Sequence, residues 1–348
     1  MEKVRQVIIA DTHFGRYNNS INFLKSQLKE FEDLKQFITN DERDRFNLVH
    51  LGDVFESRST ISIYVLNEVK ALLVELNKIL KSRNPENKFI FVAGNHDFFS
   101  PNSDRVNSLD TIIKDTLPDA IIVSRECAVI DGDVFVPWYM MNYEENFMKT
   151  KDLLHSGDRI FTHCDCKSFY INKLPPDTYI YSGHIHRYRA FDNISGEDFN
   201  KSAGGKLYNL SPPYSLDYND SNTDIKGFWV LDEYYPVLYK NTKSIRYRTF
   251  VNEEIFNIPG LDESIARGDN FRIYISEENR IKFEYIEILN KLSSDISYLT
   301  IIPTSESMID TSNSNIGDLD ITNMLKGMLP DYLQEYFNII KKEVEDEN

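Results

Sequence analysis

The stretch that most constrains this chain is an apolar run that ends abruptly in three polar residues. The run FIFVAG at positions 89–94 is followed directly by Asn95, His96 and Asp97. Apolar residues before a glycine predict a short buried strand that ends in a turn. In α/β sheets, ligands bind beyond the carboxyl ends of the strands. This stretch therefore predicts a ligand-binding edge at which three polar side chains are presented together.

Four other segments have the same design, in which histidine or aspartate directly follows an apolar run. They are Asp11-Thr12-His13, Gly52-Asp53, Thr162-His163 and Gly183-His184-Ile185-His186. Together the five segments hold five of the seven histidines in the chain. A single pair of this kind is more often an ordinary turn than a metal site. Five of them in order, each at a predicted strand end, predict one shared site with two metal ions.

The first hundred residues alternate between predicted strands and predicted helices. Apolar runs predict three strands, and apolar residues at helical spacing predict two helices between them, at 4–10, 21–38, 47–51, 63–80 and 88–93. This order is typical of an α/β fold with parallel strands. Further short apolar runs up to about residue 233 predict additional strands, one of them over residues 134–138.

The pattern changes after about residue 234. We predict one domain over residues 1–233 and a small α+β domain over residues 234–305. Residues 306–318 are rich in serine, asparagine and aspartate, which predicts a linker. Residues 319–348 are amphipathic, and we predict a helical tail that is interrupted at Pro330.

Charge and cysteine content argue against several classes of protein. Lysine and arginine total 39 and aspartate and glutamate total 55, so the net charge is −16. That balance argues against nucleic-acid binding by bulk positive charge alone. Three cysteines are too few for a disulfide framework and fit a reducing compartment. Because no secretory signal or membrane-spanning run is found, we expect a soluble, cytoplasmic protein with no membrane partner.

The polar residues of the five segments match the ligands that a pair of divalent metal ions needs. Such a pair requires neutral imidazoles, hard oxygens and at least one carboxylate that bridges the two ions. The candidate ligands are Asp11, His13, Asp53, Asn95, His163, His184 and His186. Asp53 is the natural bridge, because it ends the second strand, between the first and the third. His96 and Asp97 are the candidate catalytic residues, with His96 protonating the leaving oxygen and Asp97 orienting His96.

These motifs resemble the signature of the calcineurin-like metallophosphoesterases, which reads D-x-H, GD, GNHD, H and GHxH along the chain. The resemblance covers roughly residues 4–186. It implies a four-layer fold, in which a two-sheet β-sandwich is flanked by helices, and a dinuclear site of the Mn²⁺ type with His96 as the catalytic histidine. By the same resemblance, one ion is held by Asp11, His13, Asp53 and His186, and the other by Asp53, Asn95, His163 and His184.

Within this superfamily, the chain resembles the nuclease subunit of the SbcCD and MRE-eleven–RAD-fifty complexes, and in particular the T4-type phage recombination endonuclease subunit. The segments that carry this likeness are Asp11–Arg16, Gly52–Phe55, Val136–Trp138, Ser182–His186, Leu207–Pro213 and Lys226–Trp229. The resemblance implies a Mn²⁺-dependent DNA exonuclease and endonuclease that acts in double-strand-break repair and recombination, in the host cytoplasm if the chain is phage-encoded. It also implies a DNA-binding capping domain at 234–305, an SMC-like ATPase partner bound by the tail, and a homodimer within a heterotetramer.

Two further sets of residues are candidates for contacts with these partners. Basic and aromatic residues beside the motifs would contact DNA, because arginine forks suit phosphate oxygens; they are Arg16, Tyr17, Arg58, Arg105, Arg187 and Arg189. Apolar residues of the tail would contact the ATPase, and they are Leu325, Leu333, Phe337 and Ile340. The alternatives are ordinary solvated loop charges for the first set and packing on the chain's own domain for the second.

Two other functions fit the sequence. The same chemistry could act on small phosphodiesters or on phosphoproteins, although residues 52–57 lack the arginine of the protein-phosphatase motif and Asp97 stands where those enzymes carry glutamate. A non-enzymatic binding module that has kept the fold is the third hypothesis. The intact ligand set and His96 argue against it, because a scaffold needs neither.

Overall fold

The structure is a computed structural model of the 348-residue chain. It describes residues 3–100, 103–142, 153–164, 175, 177–191, 206–218, 225–295 and 298–304. Contacts along the chain define two units, Met1–Ile302 and Pro303–Asn348. Apart from its first two residues, the second unit lies outside the described residues, and so do the predicted linker, the predicted tail and the tail residues Leu325, Leu333, Phe337 and Ile340.

The described residues form strands and helices in the alternating order that the sequence predicts. The strands are β1 (Arg5–Ile9), β2 (Phe46–Leu51), β3 (Phe89–Val92), β4 (Phe98–Ser100), β5 (Ser103–Asn107), β6 (Ile121–Val123), β7 (Ala128–Ile130), β8 (Asp133–Val136), β9 (Arg159–His163), β10 (Tyr179–Gly183), β11 (Arg189–Phe191), β12 (Lys206–Asn209), β13 (Gly227–Leu231), β14 (Val237–Lys240), β15 (Tyr247–Val251), β16 (Asn270–Ser276) and β17 (Tyr298–Thr304). The helical segments are Arg16–Asn19, Ile21–Asn40, Ile63–Arg83, Leu109–Ile113, Lys114–Thr116, Trp138–Asn142, Asn252–Phe256, Leu261–Arg267, Glu277–Arg280 and Phe283–Asp295. The two long helices begin after serine caps, because Ser20 and Ser62 accept hydrogen bonds from the backbone N–H groups of Phe23 and Val65.

The first sheet has the strand order β14-β13-β1-β2-β3-β6. The strands β1, β2, β3 and β6 are parallel, and β13 joins them antiparallel to β1. One face of this sheet packs on the helices Ile21–Asn40 and Ile63–Arg83 through residues such as Val7, Phe89 and Leu73. Parallel strands that are covered on both faces read as continuous apolar runs, which is why β1, β2 and β3 could be recognised in the sequence.

The second sheet has the strand order β11-β12-β10-β9-β8-β7. Its central strands β8, β9, β10 and β12 are parallel, and β7 and β11 are antiparallel at the two edges. The other face of the first sheet packs against this sheet, with Ile8, Val49 and Ile90 meeting Phe161 and Tyr181 in one core. The predicted mixed α/β fold is thereby confirmed.

A buried ion pair ties the two sheets together. Arg159 of β9 and Asp133 of β8 are both fully buried and meet through two hydrogen bonds of 2.7 and 2.5 Å. Gln6 of β1 donates to the same carboxylate at 2.9 Å, and Arg159 also donates to the backbone carbonyl of Val4. Since every partner is hydrogen-bonded, the charges are compensated in the interior.

Residues after β14 form a third sheet of order β15-β16-β17 with a core of its own. Phe271 and Ile273 of β16 pack there against Leu289 and Leu292 of the helix Phe283–Asp295. The domain boundary at residue 234 stays a prediction; β14 lies beyond it and pairs with β13 of the first sheet. Among the described residues, no helix is both long and apolar enough to cross a membrane.

Candidate metal centre

The five polar segments of the sequence converge at one place between the two sheets. Asp11, Asp53 and Asn95 follow the neighbouring parallel strands β1, β2 and β3, so their side chains leave the first sheet at the same edge. His163 ends β9, and His184 follows its neighbour β10 in the second sheet. Because the sheets pack face to face, the strand ends of both contribute to one site.

Four of the candidate ligands have a left-handed backbone conformation. The φ angles are 52° for Asp11, 45° for His13, 53° for Asp53 and 77° for His184. Residues other than glycine rarely adopt this region, although aspartate and histidine do so more often than most. Such strain persists only where the surroundings impose it, and it is concentrated at functional sites. Here it turns each side chain sharply away from its strand and toward the centre.

Glycines allow the strand ends to approach one another. A Cβ on Gly94 would meet the carboxylate of Asp53 and would lie 2.5 Å from its backbone nitrogen. A Cβ on Gly183 would lie 2.5 Å from the carbonyl oxygen of Leu51 and 3.0 Å from the Asp11 carboxylate. The glycine positions in the motifs are therefore explained by close backbone approach, with no room for a side chain.

Asp11, His13 and His186 form the first group of side chains that could hold a metal ion. The Nε2 atoms of His13 and His186 are 3.2 Å apart, and His186 Nε2 is 3.9 Å from Asp11 Oδ1. Asp11 Oδ1 accepts a hydrogen bond of 2.9 Å from the backbone N–H of His184. Asp11 Oδ2 is buried and has no hydrogen-bond partner among the described residues, which leaves it available as a ligand.

Asp53, His163 and His184 form a second such group, and a third, of His13, Asp53 and His96, shares members with both. Asn95 completes it, because its Oδ1 atom lies 3.1 Å from His163 Nε2 and 2.9 Å from His184 Nδ1. The rings of His163 and His184 meet edge to face, with centroids 5.1 Å apart. Imidazole nitrogens and hard oxygens directed at one point fit a divalent ion.

Asp53 lies between the two groups. Its Oδ2 atom is 3.6 Å from His13 Nε2 and 3.3 Å from His163 Nε2. Its Oδ1 atom accepts a hydrogen bond of 2.7 Å from the backbone N–H of His96. One carboxylate oxygen thus faces a histidine of each group, which is the placement that a bridging ligand requires.

Backbone carbonyls set the orientation of two histidine rings. His163 Nδ1 lies 2.7 Å from the carbonyl oxygen of Leu51, and His96 Nδ1 lies 2.6 Å from that of Glu56. Because a carbonyl only accepts, both Nδ1 atoms donate, and the Nε2 atoms of the neutral rings are left without a proton. His163 Nε2 is then free to bind a metal, and His96 Nε2 is free to exchange a proton.

Asp97 does not make the contact that the sequence predicts for it. Its carboxylate accepts hydrogen bonds from the backbone N–H groups of Asp53, Val54 and Gly94, at 2.9, 3.1 and 2.9 Å. It is buried and joins the ends of β2 and β3. The Glu56 carbonyl, rather than Asp97, orients His96 through Nδ1.

Glu56 is a site residue that sequence reasoning missed. Its Oε2 atom lies 2.7 Å from His13 Nδ1 and 3.0 Å from Arg16 Nη1. Arg16 also donates to Asp217 at 2.9 Å. The order Gly-Asp-Val-Phe-Glu carries no local signal for these contacts, because they depend on the path of the loops after β1 and β2 and on a residue about 200 positions away.

Burial and neighbouring charges shift the pKa values of the acidic residues in the centre. Burial and the Asp53 carboxylate raise the pKa of Asp11 to about 6, against the opposing effect of His163 and His13. Burial also acts on Asp53, but there the protonated form of the close His163 ring prevails and holds the pKa well below its usual range. A bound cation would take the place of that charge and leave the ring neutral. Several carboxylates and imidazoles packed together in a buried site are compensated best by a bound cation, so the donor set fits a metal.

The predicted DNA contacts lie around this centre in different environments. The guanidinium of Arg16 is bound by two carboxylates, and the ring of Tyr17 is 45% exposed. Arg58 is half-buried beside a small pocket that Asp97 also lines, and Arg105 and Arg189 are exposed. Arg187 follows His186 and is half-buried. Contact of these six residues with DNA stays a prediction.

Comparison with known proteins gives one informative match. A family model described as calcineurin-like phosphoesterase matches residues 4–199, which include every candidate ligand. No curated protein matches the chain at a significant level. One solved structure is 12% identical and covers 69% of this chain and 99% of its own, with a TM-score of 0.37, a similarity too low to support an argument.

Proposed function

Because the chain belongs to the calcineurin-like phosphoesterase family, whose members hydrolyse phosphoesters with bound metal ions, we propose that it is a DNA nuclease. The observation that carries the proposal is the convergence of seven candidate ligands around Asp53, with His96 close to His13 and Asp53. In this proposal it cuts phosphodiester bonds as an exonuclease and endonuclease in double-strand-break repair and recombination. The motif segments that resemble SbcD-type nuclease subunits favour DNA over other phosphoesters.

Two Mn²⁺ ions are the proposed cofactors. Asp11, His13 and His186 would hold one ion, Asn95, His163 and His184 would hold the other, and Asp53 would bridge them. Such a pair supplies an activated water and stabilises negative charge on the phosphoryl oxygens. The unpartnered Asp11 Oδ2 and the two facing imidazole nitrogens at 3.2 Å support a cation at the first position.

His96 is the proposed general acid. Its ring lies edge to face with that of His13, with centroids 4.9 Å apart, so it stands beside the first metal position. The hydrogen bond from Nδ1 to the Glu56 carbonyl keeps Nε2 directed away from the loop that holds the ring. In the protonated ring, Nε2 would donate its proton to the leaving oxygen of the nucleotide.

The proposed partners follow from the same resemblance. The region 234–305 would bind DNA as a capping domain, and residues 319–348 would bind the base of an SMC-like ATPase, with two copies of each chain in the complex. A net charge of −16 favours an arrangement in which a partner contributes to DNA affinity. Deletion of residues 319–348 is expected to abolish binding to the ATPase and to leave cleavage of a small phosphodiester intact.

The test is Mn²⁺-dependent cleavage of linear double-stranded and single-stranded DNA by wild type and by His96→Ala, each with and without the ATPase. Cutting by wild type that the substitution abolishes supports the proposal. Turnover of bis(p-nitrophenyl) phosphate without any cutting of DNA, even with the partner present, contradicts it. That result would favour the second candidate, a phosphoesterase for small phosphodiesters or phosphoproteins.

A further inference from the structure

A pocket of about 400 Å³ lies beside the turn Arg16–Asn19, outside the candidate metal centre. Its walls include the aromatic rings of Tyr17, Phe23, Tyr218 and Tyr247 and the side chain of Arg272. Phe23 and Tyr247 are buried, whereas Tyr17 is 45% exposed. Aromatic rings together with an arginine are the groups that proteins use to stack and hold bases of a single strand.

The backbone holds Tyr17 at this place in an unusual conformation. Tyr17, Asn18 and Asn19 have φ angles of 53°, 53° and 61°, three consecutive left-handed residues without a glycine among them. L-residues adopt such a run only when other contacts impose it. The Tyr17 hydroxyl donates to the carbonyl oxygen of Leu216 at 2.6 Å, which is one of those contacts. The turn therefore presents a half-exposed ring whose orientation is fixed.

Arg272 adds a cation to the lining of the pocket. Its guanidinium lies 3.8 Å from the centroid of the Tyr218 ring, a cation–π contact. Arg272 Nε is buried and has no hydrogen-bond partner among the described residues. A guanidinium in the lining of a pocket suits a phosphate oxygen next to a stacked base.

The pocket is connected to the metal centre through two side chains. Tyr17 adjoins Arg16 in sequence, and both side chains bind the carbonyl oxygen of Leu216. Arg16 contacts Glu56, and Glu56 contacts His13 of the first metal position. In the proposal below, a strand whose phosphodiester lies at the metals would extend to this pocket.

We propose that this pocket is a stacking subsite for one nucleobase of the strand that is cut. The inference rests on the proposed nuclease function and names how the DNA is held. Stacking provides affinity without positive charge, which suits a chain with a net charge of −16. Tyr17 and Tyr218 would contact the base, and Arg272 would contact the adjoining phosphate.

The experiment is an abasic scan of a single-stranded oligonucleotide with the full-length protein and Mn²⁺. One abasic residue is moved through the positions around the cleaved bond, and KM and kcat are measured for each substrate. In wild type, an abasic residue at one of these positions is expected to raise KM about tenfold, because losing the stacking of one base weakens binding by about that factor. In Tyr17→Ala the full substrate should show the raised KM, and the abasic residue should add nothing to it.

Two variants serve as controls. Tyr17→Phe keeps the ring but loses the hydrogen bond to Leu216 that helps to fix it, so its scan should keep the abasic effect at the same position, with an amplitude between those of wild type and Tyr17→Ala. Tyr64 is 46% exposed, nearly the same fraction as Tyr17, but it does not line the pocket. The scan of Tyr64→Ala should therefore match that of wild type. If wild type cuts DNA but no abasic position changes its KM, the subsite alone is overturned. Absence of DNA cleavage under all conditions overturns the proposed function as well.

Discussion

Glu56 Oε2 lies 2.7 Å from His13 Nδ1, on the side of the ring opposite the metal position. A carboxylate in that place restrains the ring electrostatically and strengthens the other nitrogen, Nε2, as a ligand. His13 holds the pKa of Glu56 at about 2, against the effect of burial, so the carboxylate is charged at neutral pH. We infer that Glu56 positions His13.

The first prediction concerns Glu56→Gln. The amide keeps the size of the side chain but loses its charge, so the affinity for Mn²⁺ should fall about 10- to 100-fold. Isothermal titration with Mn²⁺ of the metal-stripped proteins measures this directly. Glu86→Gln, which alters an 81% exposed carboxylate far from the centre, is the matched control. Equal affinities in wild type and Glu56→Gln would exclude the positioning role.

The second prediction separates His96 from the metal ligands. His96→Ala should lower kcat about 10²- to 10⁴-fold for a nucleotide leaving group while the affinity for Mn²⁺ changes little. With p-nitrophenolate, which leaves without a proton, the loss should be much smaller. His155→Ala is the control, because that side chain is 77% exposed. An equal loss with both leaving groups would rule out His96 as the general acid.

The third prediction tests the close approach of the strand ends. Gly94→Ala would place a methyl group against the Asp53 carboxylate and backbone, so Asp53 must move. We expect a loss of stability of about 1–3 kcal/mol together with loss of Mn²⁺ binding. Urea unfolding and titration with Mn²⁺ are the measurements.

Gly132→Ala is the control for Gly94→Ala. Gly132 has a φ of 78° but no atom within 4 Å of the added Cβ, so strain is the only expected effect, about 1 kcal/mol. Its affinity for Mn²⁺ should equal that of wild type. A Gly94→Ala protein that binds Mn²⁺ normally would show that the strand ends have more freedom than the structure indicates.

The sequence predicted the strand ends well, because a buried parallel strand is a continuous apolar run and its polar end is visible at once. It predicted less where local rules compete. The run after Val134 predicts a strand through Trp138, but β8 ends at Val136 and a helix begins at Trp138. Pro137 lies between them and has no N–H to extend the ladder.

Contacts between distant loops could not be predicted. Asp97 sits beside His96 in the sequence, yet its carboxylate joins the backbones after β2 and β3. The contacts of Glu56 and of Tyr17 with Leu216 likewise depend on how loops cross in space. Adjacency in sequence therefore predicted which residues reach the site but not which of them orient one another.

The fourth prediction concerns Glu30, a buried carboxyl far from the metal centre. Glu30 is only 2% exposed, and neither of its oxygens has a hydrogen-bond partner among the described residues. Burial, together with the charge of Asp33, raises its pKa to about 9. The folded state therefore keeps this proton up to about pH 9, whereas the unfolded chain releases it near pH 4.5.

The sign of the pH dependence follows from this difference. Between pH 4.5 and 9 the folded state binds more protons than the unfolded state, so the contribution of Glu30 to stability falls as the pH rises. Glu30→Gln has no proton to lose. It should be close to wild type near pH 5 and more stable at pH 8 by up to about 4 kcal/mol, because each pH unit between the two pKa values is worth about 1.4 kcal/mol.

Urea unfolding at pH 5, 6.5 and 8 provides the test. The free energy of unfolding of Glu30→Gln minus that of wild type should grow steadily across the series. For Glu126→Gln, at an exposed position, the free energy of unfolding should change with pH as it does in wild type. If the curves of Glu30→Gln and wild type were also parallel, the Glu30 carboxyl would have to be paired or hydrated in solution, and its raised pKa would be refuted.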